Sequence, residues 1–252
     1  MPLRAIAATL LALGSLLAAG SAAAQSWTGA YAGADLGVSR TTGAAARGDY
    51  GGALLTLDVQ NGLFPGRNAD VEISASLGAT LGYDHQRGPF VLGAALDVLR
   101  LNADAQSGFS RIDPNPDPMF NGVNTITGYG TEIDTLLMAR LRAGRTFGRT
   151  LVYATGGLAL ARVENRFTLA IPELGYTSPD WSASGTRAGY VLGAGIERRL
   201  SARLSAKAEI VHFDLRDVTV GAADPVSFPG QTIAYRFKNA GTIARIGLKY
   251  RF

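Results

Sequence analysis

The sequence contains no cysteine, two histidines and a small share of charged residues. Charged side chains make up 17% of its 252 residues and hydrophobic ones 47%. The missing cysteines exclude a disulfide framework and a thiolate metal site. The low charge excludes a disordered chain, because such chains carry many charges and few apolar residues. The net charge of +4 is small and spread along the chain, so we expect no nucleic-acid partner.

A run of 18 apolar residues is also missing after residue 24, which excludes a helical membrane protein. The start of the chain differs from the rest. Arg4 precedes an apolar segment at 5–20, and three alanines at 22–24 form an A-x-A site. These features predict a signal peptide over residues 1–24, cleaved between Ala24 and Gln25, and one exported domain over 25–252. A membrane anchor is the alternative, but the run is shorter than the ~20 residues that a spanning helix needs.

Glycine is abundant, and apolar and polar residues alternate along much of the chain. The 32 glycines exclude a long-helix protein, because glycine is a poor helix former. In the last segment, Arg245, Gly247, Lys249 and Arg251 alternate with uncharged residues from 242 to 252. Successive side chains of a strand point to opposite faces, so this segment predicts a strand with one apolar and one charged face.

Eight segments of this kind predict eight strands. Short connections at 85–88, 148–149 and 200–201 alternate with long ones at 41–69, 104–130, 168–183 and 218–239, which is typical of an outer-membrane barrel. In the first long connection we expect residues 53–59 to be extended and Asn61-Gly62 to form a tight turn. The eight strands are expected at about 28–40, 70–84, 89–103, 131–147, 150–167, 184–198, 202–217 and 240–252.

The direction of the alternation decides between a membrane barrel and a soluble one. Soluble barrels turn bulky apolar side chains inward, whereas here glycines and serines share a face with the charges. The interior of an eight-stranded barrel is just wide enough to be filled by side chains. The sequence therefore predicts an all-β, eight-stranded antiparallel transmembrane up-and-down β-barrel with small residues and paired ions inside. A soluble sandwich or lipocalin-like barrel is the alternative.

Four parts of the chain carry a resemblance to a known family. They are WTGAYAG at 27–33, ARLRAG with LVYATGGLA at 139–144 and 151–159, GAGIE with LSAKAE at 193–197 and 204–209, and IGLKYRF at 246–252. In this order they resemble the small outer-membrane barrels of alphaproteobacteria, relatives of OmpA and OmpX. That family often has an acidic residue in the third strand. Here residues 91–96 have none, and Asp97 is the nearest.

The resemblance implies a monomeric, surface-exposed structural protein of the bacterial outer membrane, surrounded by lipid and lipopolysaccharide. Its short turns would be periplasmic and its long loops extracellular, and it would contribute to envelope integrity. Leu248, Tyr250 and Phe252 resemble the C-terminal signal by which the barrel assembly machinery recognises such proteins. The alternative is a ligand-binding barrel whose loops take up a small molecule such as haem.

Charged residues on the small-residue face form a predicted network. Isolated charges in a narrow lumen would be costly to desolvate, so we expect them to pair across strands. A narrow charge-selective channel is the functional alternative. The predicted network consists of Glu72, Arg140, Arg142, Glu197, Lys207, Glu209 and Arg245.

Aromatic residues near the proposed strand ends are expected to form interface girdles, since their rings tolerate the boundary between lipid and water. Arg198 and Arg199, next to a short turn, are expected to be solvated. The girdle residues are Trp27, Tyr31, Tyr83, Phe90, Tyr153, Tyr190, Tyr250 and Phe252.

The sequence shows little that would support catalysis or a cofactor. His212 and Asp214 form a closely spaced His–acid pair, and no motif singles out a nucleophilic serine beside them. Gly193-Ala-Gly195 lacks the third glycine of a dinucleotide loop. Asp113 and Asp117 could offer carboxylates to calcium, but the prolines between and after them favour an extended surface loop. We expect a non-enzymatic protein without cofactor or metal.

Overall fold

The computed structural model describes residues 26–115 and 121–252. The predicted signal peptide and its cleavage site at Ala24 and Gln25 lie outside these residues, as does Asp117. Within the described part of the chain, no helix is long and apolar enough to cross a membrane.

The described chain consists almost entirely of strands. Helix α1 follows the first strand, and a single 3-10 turn covers Pro172–Leu174. The strands are β1 (Gly29–Gly51), β2 (Arg67–Arg87), β3 (Phe90–Ile112), β4 (Asn124–Phe147), β5 (Thr150–Ile171), β6 (Tyr176–Thr177), β7 (Trp181–Arg199), β8 (Leu204–Ala223) and β9 (Thr232–Arg251), and α1 is Ala53–Gln60.

Eight of these strands form a closed antiparallel ring. Each pairs with its neighbours in the order β1-β2-β3-β4-β5-β7-β8-β9, and β9 pairs back onto β1. The β4–β5 pairing completes the ring on the other side. The two-residue strand β6 only extends the end of β5. The predicted eight-stranded antiparallel barrel is confirmed.

The strands are longer than the sequence predicts, because they continue into the expected long loops. The eight ring strands have 19 to 24 residues each. A transmembrane β-strand needs only about 9–11 residues, so the barrel wall extends well beyond a bilayer. The connections at this end, which we call the loop end, are shorter than the sequence predicts, and one of them contains α1. The opposite end, with turns near residues 88, 148 and 201, is the turn end.

Residues 53–59 are helical, so the expectation of an extended segment there is wrong. The side-chain oxygen of Gln231 accepts a hydrogen bond from the backbone N–H of Leu55 at 2.9 Å, and the Leu55 side chain is buried at the barrel mouth. This tertiary packing overrides the local strand preference. Asn61-Gly62 does form the predicted turn, with Gly62 at a φ of 78°.

The outer face carries the large apolar side chains, as predicted for a barrel in lipid. Leu141 and Leu158 are each 69% exposed, and Leu81 is 63% exposed. Alternate residues on the same strands, such as Arg140 and Arg142, are buried inside. The soluble alternative would require the opposite arrangement.

The interior is not restricted to small residues and ions, and that part of the expectation is wrong. Ions fill the turn-end half, but a layer of large apolar side chains lies above them. A second apolar layer, rich in aromatic rings, lies at the mouth. Apolar side chains fill the remaining width of the lumen without leaving polar groups unpaired. The middle layer consists of Leu99, Leu101, Ala103, Ile133, Leu136, Met138, Ala159, Ala161, Val163, Val191, Val211, Phe213, Leu215 and Ile243.

Three of the predicted girdle residues lie inside the barrel instead. Trp27, Tyr31 and Tyr153 are buried among the lumen charges, so for them the girdle prediction is wrong. Their positions in sequence place them on the inward register, opposite the apolar face. The other five predicted girdle residues are exposed on the outer face: Tyr83, Phe90, Tyr190, Tyr250 and Phe252.

Candidate functional site

Six of the seven predicted network residues lie buried in the lumen. Arg140 and Arg142 come from β4, Glu197 from β7, Lys207 and Glu209 from β8, and Arg245 from β9. Glu72 of β2 is half-buried and lies opposite Thr41, away from the others. No ion pair joins Glu72 to any residue that the structure describes.

The central ion cluster contains three carboxylates and three cations: Asp35, Asp97, Glu209, Arg140, Lys207 and Arg245. Arg140 bridges Asp97 and Glu209, with N–O distances of 2.9 Å to each. Arg245 bridges the same two carboxylates from the other side and also reaches Asp35. Lys207 binds Asp35 at 2.9 Å. The charges balance, so the cluster avoids the large penalty of an unpaired buried charge.

The turn-side ion cluster lies nearer the short turns and contains Asp84, Glu197, Arg142, Lys249 and Arg251. Arg142 binds Asp84 and also Glu197, the latter at 2.8 Å. Lys249 binds the same Glu197 oxygen at 2.8 Å, and Arg251 binds Asp84 at 2.9 Å. This cluster has one more cation than carboxylates.

Aromatic rings accompany the excess positive charge of the turn-side cluster. The ring of Tyr31 faces Lys249 at 4.3 Å and Arg142 at 5.0 Å, and Tyr153 faces Arg142 at 5.1 Å. The negative face of an aromatic ring attracts cations, most strongly where water is excluded. The rings therefore help to offset the charge that the two carboxylates leave unbalanced.

Glycines on neighbouring strands make room for these rings. A Cβ placed on Gly82 would overlap the Tyr31 ring, and one placed on Gly195 would lie 2.6 Å from the Tyr153 ring. These two glycines on the inner face therefore leave space for large aromatic side chains in a narrow barrel.

Five network members were missed by the sequence prediction: Asp35, Asp84, Asp97, Lys249 and Arg251. The alternation of inward-facing and outward-facing positions along each strand could have identified them. Asp35 follows Tyr31 and Gly33 on the inward face of β1, and Asp84 ends the even-numbered inward face of β2. Asp97, the nearest acid to the expected third-strand position, is buried in the central cluster.

Arg199 also points inward, contrary to the expectation that it is solvated. Its guanidinium lies 4.7 Å from the Trp27 ring, and its side chain hydrogen-bonds the carbonyl of Ser26. Arg199 lies two residues after Glu197 on β7, so both side chains point into the lumen. Arg198 remains half-buried on the outer register.

At the loop end, α1 covers the barrel mouth and leaves a cavity of about 60 Å³ beneath it. One water needs only ~10–15 Å³. Phe167 and Trp181 stack at 5.7 Å on one side of the cavity. Exposed lining residues such as Ala223 and Thr232 show that the cavity opens to solvent.

Three carboxylates line this otherwise apolar cavity, and they differ in their partners. Asp224 accepts hydrogen bonds from the backbone N–H groups of Val226 and Ser227, and these bonds hold its pKa below the usual value. Asp113 accepts one from the backbone of Asn115 at 2.9 Å. One oxygen of Asp58 is buried without any hydrogen-bond partner. Burial, together with the charge of Asp113, raises the pKa of Asp58 to about 7.

The remaining sequence candidates are not brought together into a site. His212 lies on the outer face, where its Nδ1 is 3.0 Å from the Thr242 hydroxyl, and Asp214 instead approaches Lys238 at 3.6 Å. The described residues include no group of three or more His, Asp or Glu side chains arranged to hold a metal. Leu248, Tyr250 and Phe252 all lie exposed on the outer face of β9, and their role as an assembly signal stays a prediction.

Comparison with known sequences gives a family and two curated relatives. A family model described as an outer membrane protein beta-barrel domain matches residues 9–252. The 31 kDa outer-membrane immunogenic proteins of Brucella melitensis and Brucella suis are each 27% identical over 232 residues. The match covers 90% of this chain and 84% of each relative.

Among solved structures, the outer membrane protein OprG of Pseudomonas aeruginosa superposes with a TM-score of 0.50 at 11% identity. The match covers 91% of this chain and 99% of OprG, and at this identity it supports the fold alone. The closed ring, the apolar outer face and the family match agree. The chain belongs to the outer membrane protein beta-barrel domain family and is a protein of the bacterial outer membrane.

Proposed function

We propose that the protein is a closed, non-enzymatic structural barrel that contributes to envelope integrity and presents its loop end at the cell surface. The observation that carries the proposal is the filled lumen. Two ion clusters occupy the turn-end half, and the apolar layer around Leu136 and Phe213 lies above them. A continuous water path would have to pass both, so a charge-selective channel is disfavoured.

Planar-bilayer recording on the purified, heat-modifiable mature protein tests the closed lumen. We expect at most small, irregular conductance. A stable large pore in most insertions would overturn the proposal. The double variant Leu136→Ala with Phe213→Ala shows which layer closes the lumen, because it removes two large apolar side chains and leaves every ion pair in place. It should remain non-conducting, since the two ion clusters still block the path.

Envelope integrity is tested separately, in cells. A strain lacking the protein should become more sensitive to detergent and to large antibiotics, and expression of the full chain should restore resistance. If the protein restores resistance in cells and shows no stable conductance in bilayers, the two results together support a structural role. Unchanged sensitivity in the deletion strain would contradict it.

A second candidate function is the binding of a small amphipathic amine in the loop-end cavity. The specific observation is the buried, unpartnered oxygen of Asp58 at the edge of an apolar cavity. An ammonium group would supply the missing donor, since hydrogen bonds to charged groups are the stronger ones. The aromatic walls of Phe167 and Trp181 suit an apolar body attached to it.

The same geometry disfavours haem as the ligand. Haem carries two propionates, and the carboxylates of Asp58, Asp113 and Asp224 would repel them. None of the described lining residues is a histidine, cysteine, methionine or tyrosine, the side chains that commonly ligate haem iron.

Fluorescence of Trp181 offers a direct assay, because Trp27 is buried at the opposite end of the barrel. Phenethylamine should bind saturably, and the affinity of its neutral analogue phenethyl alcohol should be lower by about tenfold or more. Asp58→Asn should abolish the preference for the amine, whereas Asp180→Asn, an exposed acid outside the cavity, should not. Equal binding of both compounds, or an unchanged preference in Asp58→Asn, would exclude this candidate.

A further inference from the structure

The turn end of the barrel carries exposed arginines and lacks exposed acidic side chains. Arg145 is on β4, Arg149 in the turn that follows, and Arg87 at the end of β2. No aspartate or glutamate occurs in the described segments 85–90, 145–150 and 198–204. The exposed Arg203 and the half-buried Arg198 lie at the same end. Together we call these five residues the turn-end arginine belt: Arg87, Arg145, Arg149, Arg198 and Arg203.

The carboxylates nearest to the belt cannot neutralise it. Asp84 and Glu197 point into the lumen, where they are fully buried and already bind the cations of the turn-side ion cluster. The belt therefore presents its positive charge outward.

Register places part of the belt on the lipid-facing side of the wall. Arg87 lies opposite Phe90, and Phe90 lies opposite Arg145, so the three side chains run side by side across β2, β3 and β4. The Phe90 ring is 59% exposed on the outer face. The Arg145 guanidinium lies 5.5 Å from the Phe147 ring. Aromatic rings mark the membrane interface, so these arginines lie at headgroup depth.

The same holds on the far side of the barrel. Arg203, in the turn before β8, donates a hydrogen bond to the Tyr250 hydroxyl at 3.1 Å. Tyr250 in turn packs edge-on against Phe252, with ring centroids 5.6 Å apart. Arginine and interface ring again occur together, so the belt surrounds the turn end and is not a single patch.

Several exposed cations at the loop end have carboxylate partners instead. Arg100 lies 3.4 Å from Asp134, and Lys238 lies 3.6 Å from Asp214. Arg166 binds Glu164 at 2.8 Å. Other exposed acids, such as Asp104, Asp180 and Asp217, lie among the loop-end cations, whereas the described turn-end segments have none. A cationic surface without acidic side chains is therefore particular to the turn end.

We propose that the turn-end arginine belt binds the phosphates of anionic phospholipids in the periplasmic leaflet. The guanidinium group offers a planar fork of N–H donors that matches phosphate oxygens, and it stays charged at every physiological pH. Basic residues at the surface of an anionic membrane attract it strongly, and that attraction adds over the belt. Bound headgroups would fix the depth and tilt of the barrel in the bilayer.

The test measures which lipid the barrel retains. The mature protein is reconstituted into nanodiscs with equal amounts of phosphatidylglycerol and phosphatidylcholine of identical acyl chains, then extracted in mild detergent, and the retained lipids are counted by mass spectrometry. The belt variant carries Arg87→Gln, Arg145→Gln, Arg149→Gln and Arg203→Gln. The control variant loses the same charge from exposed loop-end arginines, through Arg67→Gln, Arg111→Gln, Arg216→Gln and Arg236→Gln.

We expect the wild type and the control variant to retain phosphatidylglycerol preferentially, and the belt variant to lose about tenfold or more of that preference. Heat-modifiable mobility shows that each variant is folded. If the belt variant does not fold, the control variant still decides: its preference should equal that of the wild type and should fall when salt is raised from about 50 to about 500 mM, because screening weakens exposed charge pairs.

Three results would overturn the proposal: no preference in the wild type, an equal preference in the belt variant, or the same loss in the control variant. Cosedimentation with purified peptidoglycan tests whether the belt binds the cell wall, which is the other anionic partner at this end. Belt-dependent binding to peptidoglycan without a lipid preference would assign the belt to the cell wall and contradict the lipid proposal.

Discussion

Arg140 on β4 and Asp97 on β3 form a two-point ion pair inside the barrel, with Nε and Nη2 lying 2.9 and 3.1 Å from the two carboxylate oxygens. Both side chains are buried. The Thr80 hydroxyl donates a further hydrogen bond to Asp97 at 2.7 Å. Such a parallel arrangement is the geometry in which a guanidinium and a carboxylate bind most strongly.

Breaking this pair from one side should destabilise the barrel strongly. Asp97→Asn leaves Arg140 and Arg245 short of a carboxylate in a buried site, and the loss of one partner from a buried pair costs about 3–5 kcal/mol. Urea unfolding in lipid vesicles measures the change. Arg100→Gln, which breaks an exposed pair with Asp134, is the control and should cost at most ~1 kcal/mol. Similar costs for both would show that the lumen ions are well hydrated.

Gly247 on β9 should not tolerate even a methyl group. A Cβ at this position would overlap the carboxylate of Asp35 and the carbonyl of Ala34 on β1. Overpacking of this kind typically costs about 1–3 kcal/mol, so Gly247→Ala should lower the urea midpoint. Gly221→Ala, where nothing lies within 4 Å of the added atom, is the matched control and should change stability little. A midpoint unchanged in Gly247→Ala would show that β1 and β9 can separate locally.

Deletion of Phe252 should reduce the amount of assembled protein in the outer membrane. The residue is 75% exposed, its ring packs against Tyr250, and its backbone N–H donates a hydrogen bond to the carbonyl of Ala30 at 3.1 Å. Its loss therefore removes one backbone hydrogen bond and little buried surface. Phe147→Ala, which removes another exposed ring at the same end, is the control for a general interface effect. Unchanged heat-modifiable protein in the membrane fraction after the deletion would refute the assembly-signal interpretation.

The docking of α1 should weaken as the pH rises toward neutrality. Asp58 has a pKa of about 7 when docked, because burial and Asp113 disfavour its charge, whereas a solvated aspartate has a pKa of about 3.9. The docked state therefore binds more protons between these values, and its stability falls as pH increases through that window. Hydrogen exchange of the α1 amides, corrected for intrinsic rates, should be faster at pH 8 than at pH 5.5.

Asp58→Asn is the control for this effect, since an amide does not titrate in this range. Its exchange should show no pH dependence beyond the intrinsic rates. Equal protection of α1 at both pH values in the wild type would mean that Asp58 remains solvated and that the loop-end cavity is open more often than closed.

The sequence by itself was sufficient for the strand count, the closed antiparallel class and the outward direction of the apolar face. Strand periodicity is local, and the one-to-one alternation in 242–252 assigns each side chain to a face without knowledge of any partner strand. Of the seven charges that it assigned to the inner face, six are buried in the two ion clusters, and Glu72 lies apart from them. The same rule, applied to Asp35 and Asp84, would have added two of the missed carboxylates.

Only the tertiary structure decided how the lumen is filled and how far the wall extends. The continuation of β1 to Gly51 depends on pairing with β9, whose register is not encoded in β1 itself. The helix at Ala53–Gln60 depends on Gln231, which is 176 residues away from Leu55. The ring of Tyr31 faces Lys249, which comes from the other end of the chain. Such contacts join residues distant in sequence, and local periodicity carries no information about them.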